Sequence, residues 1–156
     1  MTRVFFTDRD LGKSFPEALV AAGMAVERHD DLFPEDYADE KWLEYVGTNG
    51  RIAITHNKWI RYTPNQVAAV IRHRAALFVI VGSLPHHVMA RHFTNTLPKV
   101  LAFLETHDPP FIAKVYQPSP TDLAENPDAP GSVVLWHPQP IKPGVLDASD
   151  DAGISP

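Results

Sequence analysis

Asp8 and Asp10 follow directly on a short apolar run, Arg3-Val-Phe-Phe-Thr7. A carboxylate there is held rigidly at the end of a buried strand, where a metal ligand is useful. The competing use of Asp8 is a turn that bonds its own backbone. Asp10 precedes a helix and competes with a role at its cap. Asp39-Glu40 opens a helical stretch. There the acids either favour the helix dipole or aim a second oxygen ligand at the strand ends. Asp36 and Glu44 read as solvated helix neighbours. Thr55-His56-Asn57-Lys58 closes another apolar run. Asn57 is either a cap for the next turn or a neutral oxygen ligand. Hard cations such as Mg²⁺ accept an amide oxygen, but with less charge the affinity drops. Gly82-Ser83-Leu84-Pro85-His86 closes a further run, with His86 placed to meet a phosphate at a helix N-terminus.

Other chemistries lack their residues. The chain has no cysteine, which excludes disulfides, thiolate zinc sites, iron–sulfur clusters and cysteine nucleophiles. His87 and His92 do not share a helix face well, and no nearby acid completes a zinc site with them. There is no Walker loop, no GxGxxG and no nucleophile elbow. Over 156 residues with 44% apolar content, one folded domain is expected. No apolar run approaches the ~18 residues of a membrane helix, and Met1–Phe6 does not read as a signal peptide. The expectation is a soluble, cytoplasmic protein.

The net charge of −5 conceals a pattern. Residues 1–44 hold eleven acids and five Lys or Arg, whereas residues 45–104 hold seven Lys or Arg, five His and no Asp or Glu. Such a distribution suits a carboxylate cluster beside a phosphate-attracting surface; the alternative is chance and solvated faces.

The elements that must position these residues alternate. Arg3–Thr7, Ala25–Arg28, Arg51–Thr55, Leu77–Val81 and Phe111–Tyr116 read as strands, the fourth being the most apolar and so central. Ser14-Phe-Pro-Glu17 reads as a capping box opening a helix that Gly23 ends. Asp36–Val46 is expected to be helical, stopped by Gly47 and Gly50. Thr63-Pro-Asn-Gln66 reads as a second capping box, opening a helix to about Arg74 that buries Val67, Val70 and Ile71. His86–Thr106 reads as a long helix with a boundary or kink at Pro98. The alternation predicts an α/β fold of three layers with a mostly parallel central sheet, strands one and four adjacent. Sites in such sheets lie beyond the carboxyl ends of the strands. That selects Thr7–Asp10, His29-Asp30-Asp31, Thr55–Lys58 and Gly82–His86. The folded core is placed at 1–116. Residues 117–156, with eight of the fifteen prolines, are expected to form a Pro-rich, acidic C-terminal tail. It is partly extended or disordered, notably over Asp147–Pro156, with one extra edge strand at 132–136.

The order Val4-Phe-Phe-Thr-Asp8-Arg-Asp-Leu11, His29-Asp-Asp-Leu-Phe33, Asp39-Glu-Lys-Trp42 and Gly50-Arg-Ile-Ala-Ile-Thr55-His-Asn-Lys58-Trp-Ile-Arg61 resembles the PIN-like nucleases. It is most similar to the compact group that includes VapC-type toxins of toxin–antitoxin pairs. The resemblance covers about residues 3–116. It implies a ribonuclease using Mg²⁺ or Mn²⁺, with RNA as substrate and a cognate antitoxin protein as partner; a homodimer stays open. It also implies that Asp8, Asp39 and Asn57 are the catalytic, metal-ligating positions, converging on one cation. Asn57 falls where such proteins usually carry Asp, a departure that implies weakened or lost activity. No fourth acid follows the Leu77–Val81 strand. Arg9, Lys13, Lys58, Arg61 and His86 are the expected RNA contacts; Asp10, Glu40, Thr55, His56 and Ser83 are expected to support the site.

Two other readings compete. One is a PIN-like module that binds RNA or protein without cutting. The other is a phosphatase resembling the haloacid dehalogenases, whose Asp-x-Asp opening Asp8-Arg-Asp10 resembles; its later acidic pair cannot lie in residues 45–104. A receiver-like domain fares worse, since its phosphoacceptor position is occupied by Thr55-His56-Asn57.

Overall fold

Apolar runs of four to six residues alternate with helices. In the computed structural model, which describes residues 3–138, they build one sheet. Its strands are β1 (Val4–Thr7), β2 (Ala25–Arg28), β3 (Ile52–Thr55), β4 (Ala76–Ile80), β5 (Phe111–Tyr116) and β6 (Ser132–His137). Their order is β2-β1-β3-β4-β5-β6. The first five run parallel, and β6 pairs antiparallel at the edge. The helices are α1 (Ser14–Ala21), α2 (His29–Leu32), α3 (Asp39–Thr48), α4 (Pro64–His73), α5 (His86–Thr106) and α6 (Pro120–Glu125), with 3₁₀ turns at Arg9–Leu11 and Lys58–Tyr62.

Successive strand residues face opposite sides, so each buried strand feeds two cores. Phe5, Ile54, Phe78 and Phe111 pack with Phe15 and Leu19 of α1 and Phe93 and Val100 of α5. Phe6, Ala53, Leu77 and Val79 pack with Trp42, Leu43 and Val46 of α3 and Val70 of α4. Phe6 stacks on Trp42 at 5.4 Å. This is the three-layer α/β arrangement expected. The edge strand β2 is tied in by Glu27, which takes two bonds of 3.0 Å from the Arg51 guanidinium and one of 2.7 Å from the Tyr45 hydroxyl.

Several local expectations change. Strands one and four are not adjacent: β3 lies between them. Ser14 is not a cap. The chain leaves the Arg9–Leu11 turn through Gly12 at φ 69° and already has helical angles at Lys13, so Ser14 is inside the helix. Thr63 does sit at the start of α4, but its hydroxyl donates to the Trp59 carbonyl at 2.8 Å instead of capping. Ile71 is 45% exposed rather than buried. Asp36 precedes α3, and α5 runs through Pro98 as one helix. The strand expected at 132–136 is present as β6; the segment Asp147–Pro156 lies outside the described residues.

Gly47 does not stop α3 but lies within it. The reason is contact with α4. A Cβ on Gly47 would lie 1.9 Å from the His73 carbonyl oxygen. That oxygen belongs to backbone and cannot swing aside. Gly47→Ala is therefore expected to lower stability by about 1–3 kcal/mol, the usual cost of overpacking, as read by urea denaturation. An unchanged midpoint would show that the two helices are not packed this closely.

Candidate functional site

The chain leaves β1 toward β2 on one side, while β3 lies on the other. The sheet's order reverses there, and the crevice outside the carboxyl ends of β1 and β3 is the usual ligand position in such sheets. Both strands end on polar residues at that crevice. Asp8 N–H extends the ladder by donating to the Ile54 carbonyl at 3.0 Å, which fixes the start of the acidic turn. One Asp8 oxygen accepts from Arg9 N–H at 2.7 Å, and the other accepts from the Thr55 hydroxyl at 2.8 Å. The same hydroxyl lies 3.3 Å from Asp10. It has one proton, so the two carboxylates share it and the shorter contact favours Asp8. Asp10 also accepts from His56 N–H at 3.2 Å, and Asn57 N–H donates to Thr55 Oγ1 at 3.0 Å. The two strand ends thus clamp each other through Thr55.

Asp39 enters from the first residue of α3. Its oxygens accept from Trp42 Nε1 at 2.8 Å and from Gln66 Nε2 at 3.0 Å. Gln66 belongs to the second expected capping box and here orients an acid instead. Asp8, Asp10, Asp39 and Asn57 line one cleft of about 330 Å³ together with Arg9, His29, Glu35 and Tyr37. Asn57 Oδ1 accepts from Trp59 N–H at 3.0 Å, capping the 3₁₀ turn. That bond engages one of the oxygen's two lone pairs.

Most of the remaining expected residues lie elsewhere. Glu40 and Ser83 are not in the cleft lining, and Lys13 is exposed at the start of α1. His56 turns its ring to the Gly82 carbonyl. His86 packs its ring over Gly12. Lys58 lies over the Trp59 ring, and Arg61 over Tyr62 and Trp136. Arg9 stays at the cleft but pairs with Asp30 at 3.1 Å and Glu35 at 3.7 Å. Glu35 and Tyr37 carried no sequence signal; they arrive on the loop after α2, where Tyr37 stacks on Phe33 at 4.3 Å. His29 belongs to a strand end that the sheet rule had selected, and it is buried against Phe6 and Phe33.

Electrostatics set this cleft apart. Asp8 is only 9% exposed, and burial, then the charge of Asp10, pushes its carboxyl up to about 7. Burial likewise raises Asp10, with the charge of Asp39 adding to it. Burial lowers His29, keeping its imidazole neutral. Perturbed acids gathered in a cleft are a mark of function. Among the described residues no three His, Asp or Glu side chains group closely enough to hold one ion. Mg²⁺ does not require three, since it keeps several waters and takes one or two carboxylates. The donor chemistry fits such a cation. Asp8 and Asp10 offer oxygens only, and a positive charge offsets the burial, and the lesser repulsion, that raise both.

A family model described as PIN like domain matches residues 3–82. The chain belongs to the PIN-like domain family. PIN-like domains are typically nucleases, commonly bind RNA and generally use divalent metal ions. The PIN-like match spans β1 to the end of β4 and so contains every residue of the cleft. No curated protein and no solved structure matches the chain. No helix among the described residues is long and apolar enough to cross a membrane.

Proposed function

We propose that this PIN-like domain is an endoribonuclease dependent on Mg²⁺ or Mn²⁺. The observation that carries this is the Asp8–Asp10 pair at the reversal point of the sheet, bridged by Thr55 and faced by Asp39 across one cleft. When bound, such a cation supplies an activated water and polarises the phosphodiester. Asp8 and Asp10 would hold it. Thr55 and the His56 backbone fix their oxygens, and Trp42 and Gln66 keep Asp39 aimed into the cleft. Arg9, which lines the cleft, would contact a phosphate. The likeness to VapC-type proteins extends this reading to the toxin of a toxin–antitoxin pair, acting on RNA in the cytoplasm and restrained by an antitoxin.

One observation favours a second reading, a PIN-like module that binds without cutting. Asn57 brings no charge, and its oxygen is held by the Trp59 N–H. Asn57→Asp separates the two. Asp caps a turn as well as Asn does, so the fold tolerates it, and it adds a carboxylate to the cleft. The expected result is stronger cleavage of a labelled RNA and a metal requirement lowered roughly tenfold, since affinity follows ligand charge. Metal titration in a gel assay reads both. If Asn57→Asp and the natural chain are equally inert, the binding module is the better account.

A further inference from the structure

A second concavity of about 380 Å³ lies between the Lys58–Tyr62 turn, α4 and the end of β6. Its rim is cationic and aromatic. The Arg61 guanidinium sits 5.1 Å from the Tyr62 ring and 5.8 Å from the Trp136 ring. Those two rings meet edge to face at 5.9 Å. Val67 and Ile71 supply an apolar floor. Among the described residues Arg61 has no ion pair, and its Nε is buried without a partner. Beside the groove, Lys58 lies 5.0 Å over Trp59, which is 62% exposed. The sequence from 45 to 104, which supplies the turn and α4, contains no carboxylate to neutralise these cations.

We propose that this groove binds a nucleobase of single-stranded RNA next to the cleavage cleft, with Tyr62 and Trp136 stacking the base and Arg61 and Lys58 holding the flanking phosphates. Every base offers a π face to an aromatic ring, and a cationic track holds the backbone. Continuity with the cleft supports the same ligand. Asn57 lines the acidic cleft and caps the very turn whose Arg61 and Tyr62 line the groove. Five residues of 3₁₀ helix rise about 10 Å, so this turn leads from the cleft to the Arg61–Tyr62 edge of the groove, with Trp136 on β6 at its far edge. Arg61 beside Tyr62 and Trp136 would also suit a protein interface, but cations unpaired among the described residues, on a turn and helix whose sequence holds no carboxylate, favour a polyanion. The proposal rests on the ribonuclease reading for its choice of RNA.

The test is fluorescence anisotropy of a labelled single-stranded RNA in EDTA, where cleavage is stopped, with the full chain and with Tyr62→Ala, Trp136→Ala and Trp136→Phe. Both alanine variants are expected to bind roughly tenfold more weakly, the scale of one lost stacked base. Trp136→Phe, which keeps a ring, is expected to bind within about twofold of the natural chain by the same reasoning. It also controls for folding at that position. Affinity unchanged in both alanine variants overturns the proposal and leaves the groove to a protein partner. Trp136-dependent binding in a chain that never cuts would uphold the groove and sink the nuclease reading; cutting with binding indifferent to Tyr62 and Trp136 would do the reverse.

Discussion

Asp8→Asn is expected to make the protein more stable at pH 8, by about 2 kcal/mol or more, since each tenfold change in proton affinity is worth about 1.4 kcal/mol. In the unfolded chain the Asp8 carboxyl has its ordinary value of 3.8, and in the fold it is raised to about 7. Below pH 3.8 both states hold the proton and no difference arises. Between 3.8 and about 7 the unfolded chain has released its proton while the folded one keeps it, so stability falls as pH rises. Above about 7 the full cost of a buried charge beside Asp10 remains. Asn carries no charge and keeps the geometry. Its oxygen can accept from Arg9 N–H, its amide can donate to Thr55 Oγ1, and the Thr55 proton is then free for Asp10. His29 works in the opposite sense. Its lowered value makes stability fall with acid below about 6.5, the ordinary histidine value. The difference between natural chain and variant cancels that contribution. Urea denaturation from pH 5 to pH 8.5 should show the two midpoints diverging as pH rises. Parallel midpoints would mean that Asp8 is not held in an unfavourable charge state. Mg²⁺ or Mn²⁺ at pH 8 should recover stability in the natural chain and not in Asp8→Asn, because a ligand of the folded state stabilises it.

Asp10→Asn is expected to cost as much activity as a change at Asp8, although its place in the sequence suggested only support. Its carboxylate is held by the His56 backbone and shares the Thr55 proton with Asp8. Replacing even an outer partner of a catalytic metal costs roughly 10- to 100-fold, so losing a direct oxygen should lower cleavage by at least about 100-fold on that scale. Metal titration of the variant's cleavage rate checks it. Glu40→Gln, whose side chain lies outside the cleft lining, is the comparison and should cut normally. If Asp10→Asn also cuts normally, Asp10 belongs to the hinge between β1 and β3 alone.

Much of this arrangement is legible in the residues. The apolar runs give the strands, and an acid directly after one of them gives Asp8. Trp42, Leu43 and Val46 mark the buried face of α3, which carries Asp39 into place. What is not legible depends on contacts distant in sequence. The neighbour of β1 is chosen by packing across the sheet, so β3 could not be told from β4. Asp10 gains its importance from a hydroxyl 45 residues away, Thr55. Ser14 and Gln66 have the residue types of capping boxes, yet the turns preceding them decide otherwise. Gln66 turns to Asp39, and Gly47 marks a close approach of helices instead of an end. Asn57 meets both of its expected uses at once, as a cap and as part of the cleft lining.

The Asp8–Asp10 pair, faced by Asp39, is proposed to cut RNA only with a bound cation. The most direct measurement is cleavage of an end-labelled RNA by the full chain with Mn²⁺, with EDTA, and with Asp8→Asn confirmed as folded by its urea midpoint. Cleavage is expected with Mn²⁺, none with EDTA and none from the more stable Asp8→Asn. Equal cleavage in all three, or no cleavage by either the natural chain or Asn57→Asp, would contradict it.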